Sequence, residues 1–469
     1  MSTSLRFSTI SEAARDMRSK KLSPVELVES HLRSIDSLEP KLNAFVHLDA
    51  DGARMQARAA ETAVSRGEPP GPLHGVPLTV KSSIDVAGWP CPAGSLLRKD
   101  YLPRADAPVV ARLKSAGAIL LGNTNTPEFL MAYETHNLLS GKTSNPWNLA
   151  HSAGGSSGGE AAAIAAGCSM GGVGSDGGGS IRVPAHFCGI AGLKPTPGRI
   201  PTTGHYPSMG YPGGLVGVAG PMARDARDLR LLFSILAGYD SADPFSIPVP
   251  LRVPELVAET PLRIGVWEQF YDVPADPEIR DAVRRAAALL HGPCVDVFPF
   301  APQGLERVPN VWAFLFSQWP ALITRELVEG READAHWTLL ESLPKSDPPS
   351  AATVLLNLGA RDRMRAALLH QMDEIPVLLM PVCGIPAFRH RERRWQINGR
   401  DIGIFQAMMP VVLANVLGLP ALTVPMGLTA GGLPIGIQLM GRPFEDELLL
   451  EVAIRLEESR GPFVGPPKN

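Results

Sequence analysis

The segment Gly174–Arg182, GSDGGGSIR, places a serine directly after three consecutive glycines. Glycines in a tight turn leave backbone N–H groups unshielded, and such donors can converge on an oxygen anion. Ser180 could therefore be a nucleophile that carries its own oxyanion hole. The alternative is a structural turn in which the Ser180 hydroxyl caps the chain that continues at Ile181.

A serine nucleophile needs a base, and Lys81 is the candidate. It ends the apolar run in VPLTVKSSIDV and has no acidic residue within three positions on either side. Desolvation would lower the pKa of such a lysine, and a neutral lysine can accept a proton. The alternative is a lysine at the end of a strand whose side chain reaches solvent.

A second glycine- and serine-rich stretch, HSAGGSSGGEAAAIAAG at residues 151–167, has several interpretations. A flexible linker is one, although the stretch continues directly into helix-forming alanines. The GxGxxG pattern within residues 172–177 lacks the helix that should follow, and Gly-Lys-Thr at 141–143 lacks the first glycine of a P-loop. The GxSxG pattern around Ser156 lacks the apolar strand that leads into the nucleophile of an α/β-hydrolase.

Composition narrows the function classes. The 469 residues carry a formal net charge of −3 and a sequence pI near 6.4, which argues against a nucleic-acid-binding protein. The first residues show no apolar core of a signal peptide, and no run of about 18 apolar residues predicts a membrane span. The five cysteines form no CxxC pair, so we expect reduced, buried thiols in a cytoplasmic protein: Cys91, Cys168, Cys188, Cys294 and Cys383.

Local signals place secondary structure around these residues. Capping boxes predict helices that begin after Thr9 and Ser23, and an apolar run predicts a strand that ends near Lys81. Further helices are predicted within 107–115 and over 160–166, 223–238, 276–290, 305–345 and 445–459, and further strands over 119–124 and 171–175 and in a hairpin over 419–441. Alternation of helices and strands favours an α/β fold.

Three segments together resemble the amidase signature family: GVPLTVKSSIDVAG at 75–88, GGSSGGEAAAIAAG at 154–167 and GSDGGGSIRVPAHFCGIAGLKPTPGRIP at 174–201. The resemblance continues through residues 220–229 and 415–453. It implies a single large α/β domain over residues 1–469, with a central mixed β-sheet covered by helices on both faces. Residues of about 241–400 carry little of the family pattern and are expected to vary with the substrate.

The resemblance implies a Ser-Ser-Lys triad in which Ser180 is the nucleophile, Ser156 the proton relay and Lys81 the base. It also implies that the peptide bond between Gly155 and Ser156 is cis. The implied oxyanion hole consists of four backbone N–H groups, those of Gly177, Gly178, Gly179 and Ser180. Three residues have implied supporting roles: Asp176 and Arg182 would brace the turn, and Ser157 would form a hydrogen bond near Lys81.

Two positions depart from the family pattern. Ser82 follows the lysine where the family often has aspartate. Gly177 stands where a larger residue is common, which would loosen the oxyanion turn or widen the site. Neither departure removes a member of the triad, and the implied chemistry needs no metal and no organic cofactor.

The implied activity is hydrolysis of the C–N bond of a small carboxylic amide, with ester or carbamate substrates as further options. An apolar or aryl substrate is expected if aromatic residues of the segment 306–324 face the site. Leu130, Met131 and Tyr133 are expected on the acyl side, and Tyr206 within a lid over residues 204–214. Four aromatic residues in the segment 306–324 fit either the core or the substrate pocket: Trp312, Phe314, Phe316 and Trp319.

Two other functions are compatible with this fold: the A-type subunit of a tRNA-dependent amidotransferase, and a non-catalytic scaffold. The sequences GSIRVPA and GLVGVAGPMARD resemble stand-alone amidases more than that subunit. The complete triad argues against the scaffold. We therefore expect an enzyme that works as a monomer or homodimer, without a nucleic-acid or membrane partner.

Overall fold

An 11-stranded sheet forms the centre of the structure. The computed structural model describes residues 5–210, 213–256, 259–318, 321–344 and 347–467. The strands are β1 (Phe45–Leu48), β2 (Pro77–Lys81), β3 (Ile119–Thr124), β4 (His136–Asn137), β5 (Gly141–Lys142), β6 (Ser144–Asn145), β7 (Asn148–Ser152), β8 (Gly171–Asp176), β9 (Ala191–Lys194), β10 (Val218–Ala223), β11 (Leu262–Val266), β12 (Val295–Pro299), β13 (Val377–Pro381), β14 (Arg394–Ile397), β15 (Arg400–Gly403), β16 (Ala421–Leu428) and β17 (Pro434–Gly441).

Helices connect and cover these strands. The α-helices are Ile10–Arg18, Pro24–Leu42, Ala50–Ser65, Pro108–Ser115, Gly158–Ala165, Arg182–Cys188, Ala226–Leu236, Pro277–Leu290, Val308–Ala313, Ala321–Val328, Trp337–Ser342, Ala351–Gln371, Ile404–Ala407, Met409–Val416 and Asp446–Arg460. Short 3-10 helices span Leu96–Arg98, Glu128–Leu130, Gly213–Leu215 and Glu332–Asp334, and a π-helix spans Phe314–Gln318. No helix within the described ranges is both long enough and apolar enough to cross a membrane.

The strand order places the end of β2, with Lys81, beside the end of β8, with Ser175. The large sheet runs β1-β3-β2-β8-β10-β9-β16-β17-β13-β11-β12, and β2 is parallel to both of its neighbours. β8, β10 and β9 then pair antiparallel, so the sheet is mixed, as the resemblance implied. Since Val80 lies beside Val173, the carboxyl ends of β2 and β8 meet at one edge of the sheet. Lys81 and Ser175 are therefore near neighbours.

Successive strand residues pack into different layers. Leu120 and Leu379 belong to one hydrophobic cluster, whereas Leu121 and Leu378 belong to two others. The first cluster includes apolar residues of the helices Ala226–Leu236, Pro277–Leu290 and Asp446–Arg460. The other two include those of Gly158–Ala165 and Met409–Val416. Helices thus cover both faces of the sheet, and the expected fold is confirmed.

Most local predictions hold, and the exception is the region 305–345. Both capping boxes are present, at Thr9 and Ser23, and the predicted hairpin forms between β16 and β17. A single helix over 305–345 is wrong, because the chain there forms several short helices. Gly330 follows one of them with φ +72°, and a left-handed residue cannot continue a right-handed helix.

The cysteines are all free, and four of the five are buried. The expectation of five buried thiols is wrong at Cys294, which is half-buried. Cys294 directly precedes β12, which is the last strand of the large sheet and has no strand beyond it among the described residues. An edge strand leaves one side of the chain less covered than a central strand does.

Candidate active site

Lys81 ends β2 with its side chain completely buried. Its Nζ lies 2.6 Å from Ser156 Oγ and 3.0 Å from Ser175 Oγ. Burial lowers the pKa of Lys81 well below its ordinary value, and the charges of Asp176 and Glu160 offset only part of that effect. The side chain does not reach solvent, so the alternative of a solvent-exposed lysine is wrong, and the lowered pKa favours the uncharged amine that a base needs.

Ser175 is a contact of Lys81 that sequence reasoning missed. It lies on β8, and its hydroxyl accepts a hydrogen bond from the lysine. The signal was available only after the strand order was known, because Ser175 becomes a neighbour of Lys81 through the parallel pairing of β2 with β8. Ser157 was expected to bond near Lys81. Its Oγ exchanges 3.3 Å hydrogen bonds with the backbone of Ser175, the residue whose hydroxyl contacts the lysine, which matches that expectation.

Ser156 lies between the sheet and the glycine turn. Its peptide bond to Gly155 is cis, as the resemblance implied. Its carbonyl accepts a 2.8 Å hydrogen bond from the Thr126 hydroxyl, and the next N–H, that of Ser157, donates to the Ser180 carbonyl at 3.1 Å. The second of these bonds joins the segment around Ser156 to the turn that contains Ser180. Ser156 Oγ is thereby held against Lys81 inside the protein, where its side chain is fully buried.

A buried carboxylate organises the turn before Ser180. Asp176 accepts backbone N–H bonds from Gly179 at 2.7 Å and Ile181 at 3.1 Å. Arg182 pairs with the same carboxylate at 3.0 Å, and both side chains are fully buried. Burial alone would raise the pKa of Asp176, but the charge and hydrogen bonds of Arg182 and a bond from Asn415 hold it far below its usual range. The expected bracing by Asp176 and Arg182 matches these contacts.

The turn leaves three N–H groups available. Within the described chain, the N–H groups of Gly177, Gly178 and Ser180 donate to no protein acceptor. Gly179 differs from the expectation, because its N–H is already bound by Asp176. An oxyanion hole built from this turn would therefore use Gly177, Gly178 and Ser180.

The three glycines differ in how much room they leave. A Cβ on Gly177 would find Phe316 at 3.8 Å, an ordinary contact. On Gly178 it would lie 3.1 Å from Trp312 Nε1, and on Gly179 2.5 Å from Val411. Gly179 also has φ +108°, a conformation that favours glycine. The turn needs glycine at 179, has little space at 178 and tolerates a methyl group at 177.

Ser180 faces a chamber of about 570 Å³ that it shares with Ser156 and Ser175. Ser180 Oγ forms no hydrogen bond within the described chain, so the link from Ser156 to Ser180 is open in this structure. The chamber is mainly apolar, with its wall supplied by residues that include Phe129, Leu130, Met131, Met209, Leu315 and Phe316. Tyr206 also lines it, as does His205. No charged side chain is found among its described lining residues.

Of the predicted substrate contacts, Leu130, Met131 and Tyr206 line the chamber, and Tyr133 does not. Tyr133 lines a recess of only about 30 Å³ that also borders Ser180, and its hydroxyl donates to the Gly178 carbonyl at 2.8 Å. Arg393 and Glu341 also border this recess. Arg393 is already paired with the buried carboxylate of Glu134 at 2.8 Å.

The aromatic segment divides between core and pocket. Phe316 lines both the chamber and the recess, and Trp312 stacks on it with ring centroids 4.8 Å apart at an angle of 13°. Trp312 and Phe314 are core residues. Trp319 lies outside the described residues. Both interpretations of this segment therefore apply, each to different residues.

Known proteins are similar to this chain over most of its length. A family model described as "Amidase" matches residues 26–450. The chain is 33% identical over 490 residues to the A-type subunit of the glutamyl-tRNA(Gln) amidotransferase of Synechococcus sp. (strain CC9605), with 98% of each protein covered. It is 34% identical to indoleacetamide hydrolase of Bradyrhizobium diazoefficiens, with 96% of this chain and 86% of that protein covered.

Solved structures point the same way. A bacterial aryl acylamidase of the amidase signature family superimposes with a TM-score of 0.87 at 28% identity, covering 97% of both chains. The matched residues 26–450 include Lys81, Ser156 and Ser180. The chain belongs to the amidase signature family.

Proposed function

We propose that this chain is an amidase that cleaves a carboxylic amide through an acyl-enzyme on Ser180, with Lys81 as base and Ser156 as proton relay. The observation that carries the proposal is the buried Lys81 Nζ, 2.6 Å from Ser156 Oγ, beside the chamber that Ser180 faces. A nucleophilic serine needs a base whose uncharged form is populated near neutral pH. Burial shifts Lys81 in that direction, because it lowers the pKa of the amine well below its ordinary value.

In the proposed reaction, substrate binding turns the Ser180 hydroxyl toward Ser156 and closes the open link between them. Ser180 Oγ attacks the amide carbonyl while its proton passes to Ser156, whose own proton passes to Lys81. The tetrahedral oxyanion accepts hydrogen bonds from the free N–H groups of Gly177, Gly178 and Ser180. The C–N bond then breaks as the proton returns through Ser156 to the leaving amine. Water hydrolyses the acyl-enzyme by the same proton route and releases the acid.

The chamber supports an uncharged, largely apolar substrate. Its volume of about 570 Å³ suits a group as large as an aromatic ring system, and its described lining offers no charge to pair with an ionic substrate. An aryl or alkyl amide fits this description, and an ester or carbamate presents the same carbonyl to Ser180. The similarity to an indoleacetamide hydrolase and an aryl acylamidase is consistent with that substrate class.

The second candidate is the A-type subunit of an amidotransferase, which the similarity to such subunits favours. Free glutamine, an amide with two charged α-substituents, is our probe for the amide donor of such a subunit. Arg393 and Glu341 border the recess beside Ser180 and could face such groups. The recess holds only about 30 Å³, however, enough for one or two water-sized groups. The chamber is the larger of the two spaces, so we favour a stand-alone amidase. We propose that it works as a monomer or homodimer.

A substrate panel tests the proposal. The purified chain alone is assayed with phenylacetamide, p-nitroacetanilide, p-nitrophenyl butyrate, an N-aryl carbamate and L-glutamine, each beside the Ser180→Ala variant. We expect the aryl amides to be hydrolysed and glutamine to be left intact. Glutamine turnover that exceeds aryl amide turnover would favour the amidotransferase function.

A labelling experiment tests the nucleophile separately. A fluorophosphonate should label the wild-type chain on Ser180 and leave the Ser180→Ala variant unlabelled. Absence of labelling together with absence of hydrolysis across the panel would favour a non-catalytic scaffold. Equal labelling of both proteins would place the reactive serine elsewhere.

A further inference from the structure

One peptide unit of the oxyanion turn is held at both of its polar atoms. The carbonyl of Gly178 accepts a 2.8 Å hydrogen bond from the Tyr133 hydroxyl. The N–H of Gly179, which belongs to the same peptide plane, donates to Asp176 Oδ1 at 2.7 Å. Because the C=O and N–H of a trans peptide point in opposite directions, these two bonds fix the orientation of the whole plane.

The position of this peptide plane matters for its neighbours. The two flanking peptide planes carry the N–H groups of Gly178 and Ser180, both free in the described chain. Glycine residues place little steric restriction on rotation of a peptide plane, so the run from Gly177 to Gly179 is prone to reorient unless it is held. Rotation of this plane would direct the Gly178 carbonyl away from Tyr133 and would change ψ of Gly178 and φ of Gly179, two of the dihedral angles that set how the flanking donors are oriented.

The surroundings of Tyr133 keep its hydroxyl available as the hydrogen-bond donor to the Gly178 carbonyl. Its side chain is almost completely buried, with 6% exposed. Burial raises the pKa of the Tyr133 phenol, and the charge of Asp176 raises it further, so the hydroxyl keeps its proton. On the Cα side of Gly178, Trp312 lies close enough that an added Cβ would be 3.1 Å from Nε1. Gly178 is therefore confined through its carbonyl and through its Cα.

We infer that Tyr133 is a positioning residue of the oxyanion hole, which it aligns through the Gly178 carbonyl, and not primarily a substrate contact. This inference rests on the proposed function, because it requires that the Gly178 and Ser180 N–H groups stabilise an oxyanion. Tyr133 is not among the residues that line the chamber, so contact with a substrate in the chamber does not explain why a tyrosine stands beside Ser180. A role in aligning the Gly178 peptide does explain it.

The test compares two tyrosine-to-phenylalanine variants. Tyr133→Phe removes the hydroxyl and keeps the ring. Tyr271→Phe removes a hydroxyl that donates to the Pro302 carbonyl at 3.3 Å and accepts from the Leu305 N–H at 3.1 Å, and Tyr271 is not among the described residues that line the chamber or the recess. With the panel's best amide, we expect Tyr133→Phe to lower kcat roughly tenfold with little change in KM, since a hydrogen bond in this setting contributes about one factor of ten. Tyr271→Phe should keep the wild-type kcat.

A transition-state analogue separates positioning from simple structural damage. A trifluoromethyl ketone analogue of that amide forms an oxyanion on Ser180, so its inhibition constant should rise in Tyr133→Phe by the same factor by which kcat falls. Binding of the product carboxylic acid should stay unchanged. Wild-type kcat in Tyr133→Phe, or a rise in KM alone, would overturn the inference. If the wild-type protein hydrolysed none of the panel substrates faster than Ser180→Ala does, the proposed function itself would be refuted.

Discussion

Asp176 Oδ1 accepts the backbone N–H of Gly179 at 2.7 Å, inside the turn that ends in Ser180. The same carboxylate pairs with Arg182, and Arg182 also donates to the Val411 carbonyl at 2.7 Å and to Gln438 at 2.6 Å. One buried ion pair thus connects the turn before Ser180 to β17 and to the helix Met409–Val416. The turn depends on residues that are more than two hundred positions away in the chain.

Arg182→Met should destabilise the protein strongly. The substitution leaves Asp176 buried without its cation, and breaking a buried pair in this way costs about 3–5 kcal/mol. Urea unfolding followed by circular dichroism measures the loss. The matched control is Arg394→Met, which breaks an ion pair with Asp401 whose side chains are 68% and 41% exposed. The control should lose far less stability. Equal losses in both variants would contradict the bracing role of Arg182.

Gly179→Ala should be much more damaging than Gly177→Ala. At 179 the new Cβ would lie 2.5 Å from Val411 and the residue would keep φ +108°, so strain and overpacking together cost about 2–4 kcal/mol. At 177 the Cβ would meet Phe316 at 3.8 Å, and the change should stay within about 1 kcal/mol. Thermal unfolding of both variants provides the comparison. A Gly177→Ala variant as unstable as Gly179→Ala would show that the turn differs from the one described.

Sequence reasoning reached the parts of this site that depend on neighbours along the chain. Lys81 at the end of a strand and the capping boxes at Thr9 and Ser23 rest on local patterns, and local patterns decide where helices begin and strands end. The resemblance supplied the cis bond before Ser156, which composition and periodicity could not reveal.

The features of the site that the sequence did not predict depend on contacts between distant segments. Ser175 meets Lys81 only because β8 lies beside β2, and the capture of the Gly179 N–H by Asp176 depends on the conformation of the turn. The chamber combines residues from 129–131, 205–217 and 315–327. No pattern within one of these segments could show that Phe316 would face Ser180 while Trp312 would lie behind it.

The pH dependence of hydrolysis should follow the ionisation of Lys81. Because burial lowers its pKa well below the ordinary value of about 10.4, the neutral base is fully formed at a correspondingly lower pH. The kcat/KM should therefore rise with pH and level off before the range in which an exposed lysine titrates. Lys81→Met should lose hydrolysis, and Lys81→Arg should not restore it, since arginine stays charged. A profile that falls between about pH 7 and 9 would contradict Lys81 as the base.

Phe316→Ala should shift substrate preference toward bulkier groups. Phe316 lines both the chamber and the recess beside Ser180, so truncation enlarges the space next to the scissile bond. A substrate whose ring packs on Phe316 loses about 1.5–3 kcal/mol of apolar contact, which corresponds to a fall in kcat/KM of roughly 10- to 150-fold. A naphthyl amide should lose less than a phenyl amide, or gain, because its larger ring system fills the new space. The ratio of the two kcat/KM values is the measurement, and it is insensitive to a general loss of folded enzyme. An unchanged ratio would mean that substrates do not contact Phe316.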